Sequence, residues 1–377
     1  MYKTRLGSID VFRALTMYLM VFVNDLDPIP GVPEWIKHVG RNTDGLGFAD
    51  TIFPAFLFIV GLSIPLALDN RIQKGKPVVV HVLLRGLALL VMGFFHVNLE
   101  SYAGTVLSKP VWEIGITVAF FAIWLDYPSG FRYKRAVQGA GVLLLVVLAL
   151  LYKGKEGPLA PHWWGILGLI GWSYLLCAGA YLLARGRFWV LLAFAAFFLA
   201  FNIAVHAHLL TGLEGIRPYV WIVGNGSMPA LTMAGVVTIC WYRTSKNFLP
   251  WAALAGAGCI ALGFGLRSLG GISKIRDTPS WVLICTAISI WVFAFFTWLI
   301  DQKNKASWFA WLKPAGTSTL TCYLVPYLLY SVYLLLHFKF PPPFDAGTGG
   351  LIKSLVTAAV VVWITGLLER AKLRLKV

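Results

Sequence analysis

Hydrophobic positions along the chain fall in long unbroken runs rather than alternating with polar ones. A helix needs about 20 mostly apolar residues to cross a bilayer core. Runs of that kind cover residues 9–24, 48–68, 78–98, 111–126, 136–152, 163–184, 188–208, 226–242, 248–268, 280–300, 315–337 and 351–368. The pattern predicts an all-α polytopic membrane protein, a bundle of 11–12 transmembrane helices. The runs at 111–126 and 136–152 are the weakest and decide between eleven and twelve. Membrane bundles do not follow the length rule of soluble domains, so residues 1–377 read as one transmembrane domain. The first run follows "MYKTRLGSID" without a small-residue cleavage site, which makes it a first span rather than a removed signal.

Composition excludes a soluble alternative. Charged residues make up 13% of the chain, against about 25% in soluble domains, and the mean hydropathy is +0.75. The net charge is +16, and its distribution is informative. With twelve spans and a cytoplasmic N-terminus, 19 of the 32 Lys and Arg residues collect on the face holding both termini, and 11 on the other. Arg13 and Arg85 fall inside spans, and most acids lie on the second face. The positive-inside rule then puts both termini in the cytoplasm. The connection after the first span faces the outside, which is the periplasm if the membrane is a bacterial inner membrane. The positive charge meets anionic lipid headgroups, and no nucleic-acid motif gives it another meaning. The five cysteines lie in apolar runs without a Cys-x-x-Cys pair and read as small buried hydrophobes.

Against this background the connection "NDLDPIPGVPEWIKHVGRNTDGLGFAD" is unusually polar. Pro28, Pro30 and Pro33 stiffen its first half, and Gly40, Gly45 and Gly47 loosen its second. Asn24 ends the first apolar run, Asp50 opens the second, and His38 lies between them. Asn can donate to an oxyanion, Asp can orient an imidazole, and His can take a proton or carry an acyl group. Asp50 is also a favoured helix N-cap type. Asp10 and Arg13, three residues apart, share one helix face. Arg85 is either a snorkelling cation or a buried ligand for phosphate. His206 and His208 are spaced two apart, and no His-x-x-x-His or Glu-x-x-His pairing occurs, so no metal site is expected. Outer-face aromatics such as Trp35, Tyr102 and Trp112 suit an interfacial belt or a sugar platform equally.

The motifs themselves resemble a known family. The chain reads Arg5, Ser8, Asp10, Phe12 and Arg13, then "ADTIFPAFLFIVGLSI" from Ala49. This is similar to the heparan-α-glucosaminide N-acetyltransferase-like transmembrane acyltransferases, in particular a bacterial branch, and the match is strongest over residues 5–70. The resemblance implies about eleven spans, acetyl-CoA as cytoplasmic donor, and a sugar or glycan acceptor on the far side. It implies that His38 activates the acceptor or relays the acetyl group, with Asn24 and Asp50 beside it. Arg13, steered by Asp10, and also Arg85, Arg71, Lys74 and Lys76 are then candidates for the donor's phosphates. The chain departs from the family form at "HVGR" and in "VWEIGITVAF". Membrane lipids and the acceptor are the expected partners, with a homodimer among the assemblies such a bundle allows. The competing expectation is a multi-pass transporter or flippase for a polar solute or lipid-linked sugar. The two halves of the chain show no second copy of "DVFRALT" or "FPAFLFIVG" to support it.

Overall fold

The computed structural model describes residues 6–104, 106–155, 157–217 and 220–377. Lys3 and Arg5 lie outside the described residues. Each of the twelve apolar runs forms helix. In chain order the helices are α1 (Gly7–Leu26), α2 (Ala49–Gln73), α3 (Val79–Val97), α4 (Lys109–Trp124), α5 (Lys134–Leu150), α6 (Gly165–Ala184) and α7 (Phe188–His206). They continue as α8 (Ser227–Thr244), α9 (Phe248–Gly265), α10 (Pro279–Phe296), α11 (Lys313–Thr317), α12 (Thr319–Leu335) and α13 (Gly347–Arg370). The described residues form no β-strand, only isolated bridges.

Eight of these helices are long and apolar enough to cross a membrane: α2, α3, α6, α7, α8, α9, α10 and α13. A ninth arises if Ala306–Thr317 and α12 are one broken span, bent by 75°. The run at 315–337 is therefore not one straight helix, because Ser318 leaves helical geometry at φ −124°, ψ 47°. Helices α4 and α5 have 16 and 17 residues, about 25 Å at 1.5 Å per residue, less than the ~30 Å hydrocarbon core. Helix α1 has 20 residues but carries Asp10, Arg13 and Asp25.

The residues gather into two compact units. The first takes the chain up to Thr16, Pro33–Gly86 and Ile170–Ala310; the second takes Met17–Val32, Leu87–Leu169 and Trp311–Val377. In the first, α2 packs on α8 and α10, α10 on α9, and α7 on α8. The α2–α8 contact depends on glycine. A Cβ at Gly61 would stand 1.9 Å from the Thr232 carbonyl oxygen, and one at Gly235 2.0 Å from that of Phe58. Small residues let membrane helices approach this closely, where dispersion replaces the hydrophobic drive. Phe58 and Leu62 of α2 then join Ile239 of α8 and Phe293 of α10 in one apolar core. In the second unit α12 packs on α4 and α13, and α4 on α5.

Candidate functional site

The polar connection returns to the start of α2 in a defined path. Gly47 passes so close to the backbone of residue 37 that a Cβ there would lie 2.0 Å from the Lys37 carbonyl oxygen. The Phe48 amide donates to the Trp35 carbonyl at 2.7 Å. His38 is thereby brought over the first turn of α2, where Asp50 waits. Asp50 Oδ1 lies 2.7 Å from His38 Nδ1. Its Oδ2 accepts the Val39 amide at 3.0 Å and the Gly47 amide at 3.1 Å. The carboxylate is almost fully buried, at 2% exposure, while the His38 side chain keeps 26%.

This corrects the expectation of an N-cap. Helix α2 starts at Ala49, and Asp50 is its second residue. The carboxylate turns back to the loop instead of capping the helix. Its own carbonyl accepts Trp281 Nε1 of α10 at 3.2 Å, so a buried indole fixes the turn that carries it.

A second segment completes the cluster. Lys274 Nζ lies 3.2 Å from His38 Nδ1, and its charge also reaches Asp50. Nδ1 cannot donate to Asp50 and accept from Lys274 at once. The shorter contact favours the tautomer with Nδ1–H on Asp50, which puts the ring's lone pair on Nε2. Sequence reasoning missed Lys274, which is 236 residues from His38. Its only signal was the charged run "SKIRDT" in an apolar half of the chain.

The Lys274 turn is pinned on both sides. Asp44 Oδ1 accepts the Ile272 amide at 2.7 Å, and Oδ2 accepts Arg267 Nε at 2.8 Å. The Ile272 amide first, and the Arg267 side chain next, hold the Asp44 carboxyl below the usual carboxylate range. From α7, Asn202 Nδ2 donates to the Asp277 carbonyl at 2.9 Å, and His206 Nε2 lies 2.9 Å from the Arg276 carbonyl. His206 is thus a structural pin. Burial pushes the Asp277 carboxyl up to about 7, against the pull of the Ser227 hydroxyl and the charges of Lys274 and Arg217.

The other expected residues fall in two places. Asn24 belongs to the second unit, exposed in the last turn of α1. Its neighbour Asp25 is the buried one, accepting from Tyr330 at 2.7 Å and Ser354 at 2.6 Å beside Lys353 at 3.1 Å. Arg13 pairs with Asp10 at 3.3 Å and donates to Ser63 of α2 at 2.7 Å. The two motifs, far apart in sequence, therefore meet through Arg13 and Ser63. The Arg85 guanidinium lies over the Tyr174 ring, 5.1 Å from its centre. Arg71 donates to the Pro77 carbonyl at 3.3 Å, and its charge also reaches Tyr174. Lys76 is exposed on the turn after α2. Among the described residues no group of three or more His, Cys, Asp or Glu could hold a metal ion. The five cysteines are unbridged.

Fold and site together define an all-helical chain of the multi-pass membrane class, with an Asp–His–Lys cluster on the loop that enters α2. No family model matches the chain. Over 72 residues it is 44% identical to the heparan-alpha-glucosaminide N-acetyltransferases of Homo sapiens and Mus musculus. That stretch is 19% of this chain and 10% of each of those proteins, so this chain matches about a tenth of the length of the curated relatives.

Proposed function

We propose that this chain is an integral membrane acyltransferase. It moves an acetyl group from acetyl-CoA to an amine or hydroxyl of a sugar or glycan. The observation that carries the reading is the His38 imidazole held through Nδ1 by a buried carboxylate. The short identity to two membrane N-acetyltransferases supports the reaction class. In the direct route Nε2 removes the acceptor proton as the acceptor atom attacks the thioester carbonyl. The C–S bond breaks, and the imidazolium proton goes to the departing CoA sulfur. In the relay route Nε2 attacks the thioester carbonyl, the C–S bond breaks and CoA leaves as thiolate. The acceptor atom then attacks the acetyl carbonyl, the bond to Nε2 breaks, and the acceptor's proton ends on the CoA sulfur. Arg13, Arg71, Arg85 and Lys76, with Asp10 steering Arg13, are proposed to receive the donor's phosphates. A bacterial inner-membrane placement, with both termini in the cytoplasm and the His38 loop in the periplasm, is part of the proposal; the Lys/Arg bias counted on twelve spans favours that orientation.

The test is transfer of labelled acetyl from acetyl-CoA by the purified chain and by His38→Ala. The variant is expected to lose at least about 100-fold, the low end for a general base or acyl carrier. Equal transfer by both proteins removes His38 from the chemistry. A transporter remains the competing reading, favoured by the broken helix at Ser318. Solute uptake into proteoliposomes without any acetyl transfer decides for it.

A further inference from the structure

Lys274 takes no part in the transfer steps above, yet the fold fixes it beside His38. Its turn and the His38 loop exchange two hydrogen bonds. The Gly45 amide donates to the Ile272 carbonyl at 3.0 Å, and the Ile272 amide donates to Asp44 Oδ1 at 2.7 Å. Gly271, at φ 71.9° rounded to 72°, packs against Asp44 so closely that a Cβ there would stand 2.9 Å from the Asp44 Cγ. Two residues past Ile272, the half-buried Lys274 side chain puts Nζ 3.2 Å from His38 Nδ1. The same ring nitrogen lies 2.7 Å from Asp50 Oδ1. One atom of the imidazole thus meets a carboxylate and an ammonium.

These neighbours act in opposite senses. A carboxylate beside an imidazole favours the doubly protonated ring, and a cation at similar range opposes it. A doubly protonated ring has no lone pair, so it is neither base nor nucleophile. Asp50 alone would orient His38 and also charge it. The surrounding charges are Asp277, which feels both Lys274 and Arg217, and Asp44, which is paired with Arg267 and feels Arg276. Glu34, Lys37 and Arg41 lie on the His38 loop itself. Among them the lysine is the cation placed on the imidazole.

We propose that Lys274 is a positioning residue whose ammonium keeps the His38 ring neutral while Asp50 holds it. The use of a neutral ring rests on the acetyl transfer proposed above; the charge state itself is measured without it. The full chain, purified in detergent with ¹⁵N-labelled histidine, is observed by nitrogen NMR at pH 7 with no acetyl-CoA present. The His38 signals are those missing from His38→Gln. The parent ring is expected to show one protonated and one lone-pair nitrogen. In Lys274→Met the ratio of neutral to doubly protonated ring should fall at least about tenfold, the low end of what one charge does at this range. Lys274→Arg keeps the charge and should keep the parent ratio. An unchanged ratio in Lys274→Met, with melting confirming the fold, makes Lys274 a structural tether and overturns the proposal. An equal fall in Lys274→Arg does so too, because packing and not charge was lost. If Lys274→Met does not fold, Lys274→Gln takes its place under the same outcomes. A parent ring protonated on both nitrogens overturns the proposal whichever variants fold. If the ring follows the lysine charge but His38→Ala transfers acetyl as well as the parent, the transfer reading fails and this one stands. If His38→Ala loses transfer and the ring ignores Lys274, only this one fails.

Discussion

Asp50 divides its two oxygens between different partners. Oδ1 faces the imidazole, while Oδ2 takes two backbone amides, those of Val39 and Gly47. The amides fix the carboxylate, so the imidazole meets an orienter that does not itself move. Asp50→Asn keeps the volume but exchanges one acceptor oxygen for a donor. If the amide oxygen stays on the two N–H groups, its NH₂ faces Nδ1 and selects the tautomer with the proton on Nε2. The base is then blocked. Acetyl transfer should fall by about 10²–10⁴-fold, the range of general-base contributions, with acetyl-CoA binding unchanged by calorimetry. A variant with near-normal turnover would show that Asp50 shapes the loop without setting the proton. At this scale the sequence was a good guide, because His38 and Asp50 lie twelve residues apart on one turn-rich connection. Arg13 was read as an intrahelical partner of Asp10, and it is that; its bond to Ser63 was not legible, since periodicity says nothing about which helix a side chain reaches.

Among the elements, the helices were legible because each apolar run is bounded by a charged or glycine-rich break. What hydropathy could not show was direction. The run at 315–337 is apolar throughout, yet it breaks at Ser318. The Lys274 turn was unreadable for a related reason: its place beside His38 comes from Asp44 of the His38 loop and from Asn202 and His206 of α7, side chains of two separate segments. Asp277 gives this turn a pH dependence with a defined sign. Its carboxyl titrates near 7 in the folded chain and near 3.9 in an unfolded one. A raised carboxyl pKa adds stability that is complete below the unfolded value and is lost as pH climbs toward the folded one. The bound is a few kcal/mol, at about 1.4 kcal/mol per unit. Asp277→Asn removes the titration and suits the residue's φ of 56°, since Asn tolerates the left-handed region. The variant should melt above the parent at pH 8, and the gap should close toward pH 4. A gap that is constant with pH would sink the assignment.

For the whole molecule, the decisive property is which side of the membrane each connection faces. Helix α2 has 25 residues, about 37 Å at 1.5 Å per residue, enough to cross the ~30 Å core with some tilt. The His38 loop enters it at one end and Lys74 leaves it at the other. If α2 spans, Arg41 and Lys74 face opposite compartments. If the Lys/Arg bias sets the orientation, Arg41 is outside. Both side chains are exposed, and Cys177, Cys285 and Cys322 are buried, which keeps the background of native thiols low. Arg41→Cys should react with a membrane-impermeant maleimide in intact cells, and Lys74→Cys only after permeabilisation. The reverse pattern would turn the bundle over and put His38 on the side of cytoplasmic acetyl-CoA, leaving the acceptor to come from the cytoplasm as well. Labelling of both in intact cells would remove α2 as a span. The reaction class survives the first of these outcomes, but transfer across the membrane does not.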